Sequence, residues 1–366
     1  MKKLMSMTLV LVMLLSSIFQ SGCSNKNYPN GELKIFCWGE YLANGTSDSL
    51  DIIKAFEEET GIKVSVFSTY DSNEQMYAKL KYGSVDYDLI FPSEYMISRL
   101  IKEDMIQKIN IKSLNNYSEI MNSCKGSVSG YDPTDEYSVP YAWGTVGLVY
   151  NSPMIEKLTN QNAKDVVKGW KSLWDKRLEK EVFMFINSRD SFAIAEKILG
   201  FSLNTTNLDE INDAANLLKT QRPIVQAYIM DQIFDKMANN EGAIAPAYSG
   251  DIITMMKENP NLEYCFPEEG SNIFVDGMCI PKNAKNVENA HKFIDFLCRP
   301  DIALKNANFL SYSTPVIGAW ENLDENLKQN PIAYPPESII KKCESHKYLP
   351  KEINTKMETL WTEIRN

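Results

Sequence analysis

The feature that most constrains the fold is a hydrophobic period that changes repeatedly between residues 32 and 91. Residues 33–37 read as a strand. Residues 47–60 read as a helix, with Leu50, Ile53 and Phe56 on one face and Gly61 placed to stop it. Ile62, Val64 and Val66 alternate with polar residues, the period of a second strand. Ser72-Asn73-Glu74-Gln75 is a capping box that opens a helix carrying Met76 and Leu80. Residues 87–91 read as a third strand, stopped by Pro92. This is a βαβαβ chain, whose right-handed crossovers give a parallel sheet.

In such sheets ligands bind outside the carboxyl ends of the strands. Those ends read Trp38-Gly39-Glu40-Tyr41, Thr69-Tyr70-Asp71 and Ser93-Glu94-Tyr95, each with an aromatic ring and a carboxylate. A polar stretch, residues 123–136, separates this region from a second α/β segment. There a strand is expected over 183–186, a helix over 191–199 that Gly200 terminates, a helix over 209–220 and a strand over 243–247. Their exits, Asn187-Ser188-Arg189-Asp190 and Tyr248-Ser249-Gly250-Asp251, are again polar or aromatic. Ile273-Phe274-Val275-Asp276 leads into residues 278–281, and an amphipathic helix is expected over 287–297. At 366 residues the chain is long enough for two lobes with sizeable cores. Two α/β lobes with such exits point to a small ligand between them, since interfaces between domains favour pockets.

Several of these residues have a plainer reading. Trp38 suits packing at a strand end, Glu40 a solvated loop, and Asp276 an ion pair with a lysine. Asp190 opens a helix, where an acid is stabilising without any ligand. Asp71 and Asp251 read as capping or loop residues, and Tyr70 as structural. Arg189 would repel a cation, so it is expected to point away and hold a scaffold carboxylate.

Hydrophobic residues make up 44% and charged residues 23%, a soluble globular balance. The formal charge of −10 excludes a nucleic-acid partner, which would call for a basic face, and accommodates a cationic ligand. Lys2 and Lys3 precede an apolar run at 7–19, too short to span a bilayer, so residues 1–22 are expected to be a signal peptide. Gln20-Ser21-Gly22-Cys23 resembles a bacterial lipobox, although Gln20 stands where an aliphatic residue is usual. Cys23 is therefore the expected lipidation site, residues 23–30 a tether, and loss of both lysines takes the charge from −10 to −12. The six later cysteines lack Cys-x-x-Cys spacing and are expected to be buried thiols. With two histidines, no His-Glu-x-x-His, no Gly-x-Ser-x-Gly, no Walker loop and no metal-ligand cluster, no catalytic residue, metal or cofactor is expected. Paired carboxylates alone suffice for glycosidases, which keeps an exported hydrolase as an alternative.

With these motifs assembled, the chain resembles the bacterial spermidine/putrescine-binding proteins, the substrate-binding components of polyamine ABC importers. The resemblance covers residues 33–315 and, more weakly, the C-terminus. It is carried by Trp38-Gly39-Glu40-Tyr41, residues 68–74, Tyr87-Asp88-Leu89-Ile90-Phe91-Pro92-Ser93-Glu94-Tyr95, residues 138–144, Asn187-Ser188-Arg189-Asp190, Tyr248-Ser249-Gly250-Asp251 and residues 297–301. It implies a two-lobed periplasmic-binding-protein-like α/β fold of type II, each lobe a mostly parallel sheet flanked by helices. Lobe one would comprise 31–144 plus 276–312, lobe two 145–275 plus 313–366, with crossings near Gly144, Phe274 and Ser313. By position, Trp38, Glu40, Tyr41, Ser93, Tyr95, Asn187, Asp190, Tyr248, Phe274 and Asp276 would hold the polyamine. The pattern departs at Gly39 (commonly threonine), Asn187 (commonly an acid), Tyr248 and Phe274 (frequently tryptophan), and near 345–347, where a glutamine contact has no clear match. The implied partners are spermidine or putrescine and a membrane permease. The implied state is a monomer, anchored outside the cell membrane or in the periplasm. The same architecture could instead serve an amino acid, with Arg189 clamping its carboxylate, or a sugar.

Overall fold

The computed structural model describes residues 28–366. The expected signal peptide and Cys23 lie outside the described residues. At the end of the expected tether, Tyr28 donates to Glu57 and the Asn30 side chain to the carbonyl of Thr60, which ties this stretch to the fold.

The first sheet contains β1 (Glu32–Trp38), β2 (Lys63–Tyr70) and β3 (Leu89–Ile90), all parallel in the order β2-β1-β3. Helices Ile52–Thr60 and Asn73–Tyr82 are the crossovers. The first helix begins later than its apolar pattern predicts. Ser47 and Asp48 have φ of 52° and 60°, outside helical space, and Asp51 caps instead by accepting from the Lys54 N–H. Ser72 caps the second helix as expected, whereas Gln75 reaches back to the N–H of Asp71. The third strand is only two residues long, and beside it the buried Asp88 carboxylate accepts from the N–H groups of Lys34, Lys285 and Asn286.

The remaining strands are β4 (Ile106–Gln107), β5 (Val139–Asn151), β6 (Val182–Phe185), β7 (Val225–Ile229), β8 (Ile244–Tyr248), β9 (Leu262–Cys265), β10 (Ser271–Met278), β11 (Ile280–Pro281) and β12 (Cys343–Glu344). The large sheet runs β12-β10-β5-β8-β6-β7, with β9 paired to β5. Within it β7, β6 and β8 are parallel and β5 is antiparallel to β8. The first sheet has the same plan: Cys279 and Asp276 bridge antiparallel to Ile90 and Ser93. Each lobe thus completes three parallel strands with an antiparallel segment that also serves the other lobe.

Strands β5 and β10 are those shared segments. Val139, Tyr141, Phe274 and Met278 pack in one core with Leu33 and Ile35, while Val146, Leu148 and Tyr150 pack in another with Val182 and Met184. The three expected crossings lie side by side, with Phe274 opposite Gly144 and Trp143 bridged to Ser313. Val316 and Ala319 pack in the first core, and the C-terminal helix Lys351–Arg365 buries Met357, Leu360 and Trp361 in the second. All six described cysteines are free; Cys265 and Cys343 are half-buried and the other four buried. Among the described residues no helix is long and apolar enough to cross a membrane.

Candidate ligand-binding site

The exits of β1, β3, β6 and β8 open on one cavity of about 870 Å³, including its mouth. Every one of the ten residues expected at the site lines it. Trp38 is held at its edge by an indole N–H bond to the Phe91 carbonyl (2.8 Å) and by contact with the Tyr70 ring at 4.6 Å. Tyr70 itself is buried and structural, as expected, its hydroxyl donating to the same carbonyl at 2.7 Å. Glu40 has a φ of 49° and stands exposed at the mouth. From the second lobe, Tyr248 packs its ring 5.1 Å from Phe185 and 5.6 Å from Phe274, forming an aromatic wall.

Phe274 and Asp276 reach the cavity from the middle of β10 rather than from a strand exit. Asp276 is 5% exposed, and its Oδ2 accepts from the Tyr41 hydroxyl at 2.5 Å. Its Oδ1 is buried without any hydrogen-bond partner. Burial pushes this carboxyl up to about 6, against the pull of Tyr41 and Ser93. No lysine lines the cavity, so the ion pair that would make Asp276 structural is not formed there.

Two of the expected acceptors already hold a bond within the fold, Asn187 from a backbone N–H and Ser93 from a side-chain amide. Asn187 is the N-cap of helix Ser188–Leu199, its Oδ1 accepting from the Asp190 N–H at 2.9 Å. That helix starts three residues earlier than its apolar pattern indicates, because the cap overrides hydrophobicity as the start signal. Ser93 Oγ accepts from Asn73 at 3.1 Å. Asp190 receives the Tyr248 hydroxyl at 2.6 Å on Oδ2 and faces His346 Nε2 at 3.3 Å on Oδ1. Burial would raise Asp190, but the bonds from His346, Tyr248 and Asn187 hold it below the usual carboxylate range. Tyr95 donates to Glu74 at 3.0 Å.

Several lining residues stood outside the expected ligand set. Asp251, expected as a cap or loop residue, faces the cavity and accepts from Tyr312 at 2.5 Å; burial, with Asp231 adding, pushes it up to about 7. Glu94 is 1% exposed, accepts from the N–H groups of Val275 and His346, and is pushed up to about 8 by burial and then Asp276. Asp231 also lines the cavity, and it explains one departure noted above. A Cβ on Gly39 would come within 2.5 Å of its Oδ2, so the carboxylate fills the space a threonine would need.

Arg189 corrects its expectation. Among the described residues it makes no ion pair. It is buried at the cavity wall, with its guanidinium over the Tyr95 ring at 5.7 Å and donating to His346 Nδ1 and to the carbonyls of Leu203 and Lys347. The balance of the cavity remains acidic: Glu40, Glu74, Glu94, Asp190, Asp231, Asp251 and Asp276 against a single guanidinium.

Gly250 supports this wall by close approach. A Cβ there would meet three Tyr312 ring atoms at 2.5–2.6 Å. Gly250→Ala is expected to displace Tyr312 and with it Asp251, at a cost of about 1–3 kcal/mol from overpacking. A lowered melting temperature together with weakened ligand binding is the expected result.

A cavity between two lobes that share crossing strands, lined by rings and acids, defines a small-molecule binding protein of the periplasmic-binding type. Comparison with known proteins takes this one step further. Residues 51–335 match the family of bacterial extracellular solute-binding proteins, and the chain belongs to that family. A relative from Salmonella typhimurium, named a spermidine/putrescine-binding periplasmic protein, is 35% identical over 320 residues, covering 86% of each chain. A solved chain from Listeria monocytogenes superposes with a TM-score of 0.84 at 34% identity, covering 91% of this chain and 98% of that one. The spermidine/putrescine ABC transporter substrate-binding protein PotD of Streptococcus pneumoniae gives 0.73 at 31%, covering 92% and 100%. The family binds solutes rather than transforming them.

Proposed function

We propose that this protein captures a polyamine, spermidine or putrescine, and delivers it to the permease of an ABC importer. The observation that carries the reading is the Asp276 Oδ1 acceptor, buried and unpaired in the cavity wall. A buried acceptor without a donor costs about 1–3 kcal/mol, and an ammonium group would relieve that cost. The surplus of acids over bases supports a cation with more than one charge, since each ammonium leaving water needs its own acceptors. Trp38, Tyr41, Tyr95, Tyr248 and Phe274 offer flat faces to the methylene linkers, and cation–π attraction adds roughly 0.5–2 kcal/mol per ring. Glu40, Asp190 and Asp276 serve as charged acceptors, and Ser93 and Asn187 as neutral ones. The names of the relatives agree with this ligand class.

Ligand would bridge lobe one (31–144 plus 276–312, joined by the 316–319 stretch that packs in its core) and lobe two (145–275 plus the rest of 313–366), favouring the closed form through contacts that the open form lacks. The approach of the Asp231 carboxylate to Gly39 and the bond from the His346 N–H to Glu94 would belong to that closed form. Lipidation at Cys23 would hold a monomer at the outer face of the membrane.

An amino acid ligand would need Arg189 as its clamp, but the Nη2 of that guanidinium is already committed to His346 and two carbonyls. A thermal-shift screen with putrescine, spermidine, arginine and maltose separates the readings, since a ligand of the native state raises the melting temperature by mass action. A rise with a polyamine alone is expected. No rise with either polyamine at millimolar concentration would refute the proposal.

A further inference from the structure

The C-terminal segment brings His346 into the cavity wall, 5% exposed and engaged at both ring nitrogens. Arg189 Nη2 lies 2.9 Å from Nδ1. A guanidinium only donates, so Nδ1 must accept, and the single proton of a neutral imidazole must sit on Nε2. Nε2 in turn faces Asp190 Oδ1 at 3.3 Å. The ring is fixed further by its own backbone N–H, which donates to Glu94 at 3.1 Å, and by edge contact with Tyr95 at 5.8 Å.

We propose that His346 is a positioning residue: Arg189 locks its Nε2–H tautomer, and that N–H aims the Asp190 carboxylate at an ammonium group in the cavity. The role rests on the amine-binding reading above. A carboxylate pinned on Oδ2 by Tyr248 and on Oδ1 by His346 keeps its remaining lone pairs in one direction, so little ordering is left for the ligand to impose. Arg189 therefore serves a cation site without facing the cation. It acts through the imidazole.

Protonation would undo the arrangement. A proton on Nδ1 would set two donors and two positive charges against each other, and the imidazolium would compete with the ligand for Asp190. The groups facing the ring are Arg189 and Asp190 from helix Ser188–Leu199, Glu94 and Tyr95 from helix Glu94–Lys102, and Glu344 from its own segment. Burial and then Arg189 push the imidazole below its usual value, against the opposite pull of Asp190 and Glu344. The ring is therefore neutral near pH 7 and charges only on acidification.

The chain has two histidines, and His291 supplies an internal contrast. Its Nε2 accepts from the Asn110 N–H at 2.8 Å and its Nδ1 meets the Val287 carbonyl at 2.8 Å, the opposite tautomer. In ligand-free, ¹⁵N-histidine-labelled protein at pH 7, long-range ¹H–¹⁵N spectra should show one ring protonated at Nε2 and the other at Nδ1. H346F is expected to weaken putrescine binding at least tenfold. H346Q, whose amide offers an acceptor to Arg189 and a donor to Asp190, should recover most of that loss and lose less affinity than wild type between about pH 7 and pH 5. An Nδ1–H tautomer at His346, or equal affinities for H346F and H346Q, overturns this role alone. Absence of polyamine binding by the wild-type protein overturns the amine reading and this role with it, whatever the spectra show.

Discussion

Asp276→Asn is expected to weaken polyamine binding at least tenfold, about 1.4 kcal/mol. Asparagine preserves the shape of the side chain and the bond from Tyr41, but it replaces one carboxylate oxygen by an N–H donor. If that donor takes the position of the unpaired Oδ1, it meets an ammonium donor to donor; if it turns the other way, the Tyr41 hydroxyl loses its acceptor. Truncating one member of a buried, hydrogen-bonded charge pair costs roughly 2–5 kcal/mol, so the loss could exceed the tenfold bound. Stability should move the other way. The folded-state value near 6 lies above the reference value of 3.8. A raised carboxyl stabilises the fold below its unfolded value and loses that contribution as pH rises through the folded one. At pH 7 the ligand-free variant should therefore melt no lower than wild type. Titration calorimetry and a melting curve on the same preparation read both effects. An unchanged dissociation constant would remove Asp276 from the site.

The second large effect is on pH. In the ligand-free cavity Asp276 stands at about 6, Asp251 at about 7 and Glu94 at about 8, burial being the leading cause in each. At pH 7 Glu94 therefore holds its proton for the most part, and Asp251 is partly protonated. An ammonium group nearby favours the charged carboxylate and pulls each value down. Binding should therefore release protons, and affinity should rise with pH across this range. Between about pH 7 and pH 5, a loss of tenfold or more is expected as Asp276 protonates. Calorimetry in buffers of differing ionisation enthalpy measures the released protons directly. A dissociation constant flat from about pH 5 to pH 8, with no buffer dependence of the heat, would show that these carboxylates do not meet the amines.

Much of the site was legible because a parallel sheet places its strand exits on one edge, and each exit is a contiguous run of sequence. Trp38 to Tyr41, Ser93 with Tyr95, and Asn187 with Asp190 could be read in that way. Asp251 and Glu94 stand in the same runs, and Glu94 is the acid of its exit, but neither could be singled out as a site residue. Each sits in the first turn of a helix, where an acid is already explained by the helix dipole, so nothing local marks it as facing a cavity. The Asn187 cap and the late start at Asp51 were missed for a related reason. Cap geometry sets helix starts, and apolar periodicity blurs them by several residues.

Sequence by itself determined the two α/β lobes, the aromatic and acidic character of their exits and the kinship of the chain, because periodicity and motif order are properties of neighbouring residues. Tertiary structure decided which acids stand without partners. Asp276 Oδ1 is an orphan only because β10 carries it into a closed wall. Asp231 shares the mouth with Glu40 only because the second lobe folds against Gly39. Arg189 faces an imidazole 157 residues away, a pairing that no local pattern encodes. Burial and partnership set the charge of these groups, and both depend on distances that chain folding alone creates.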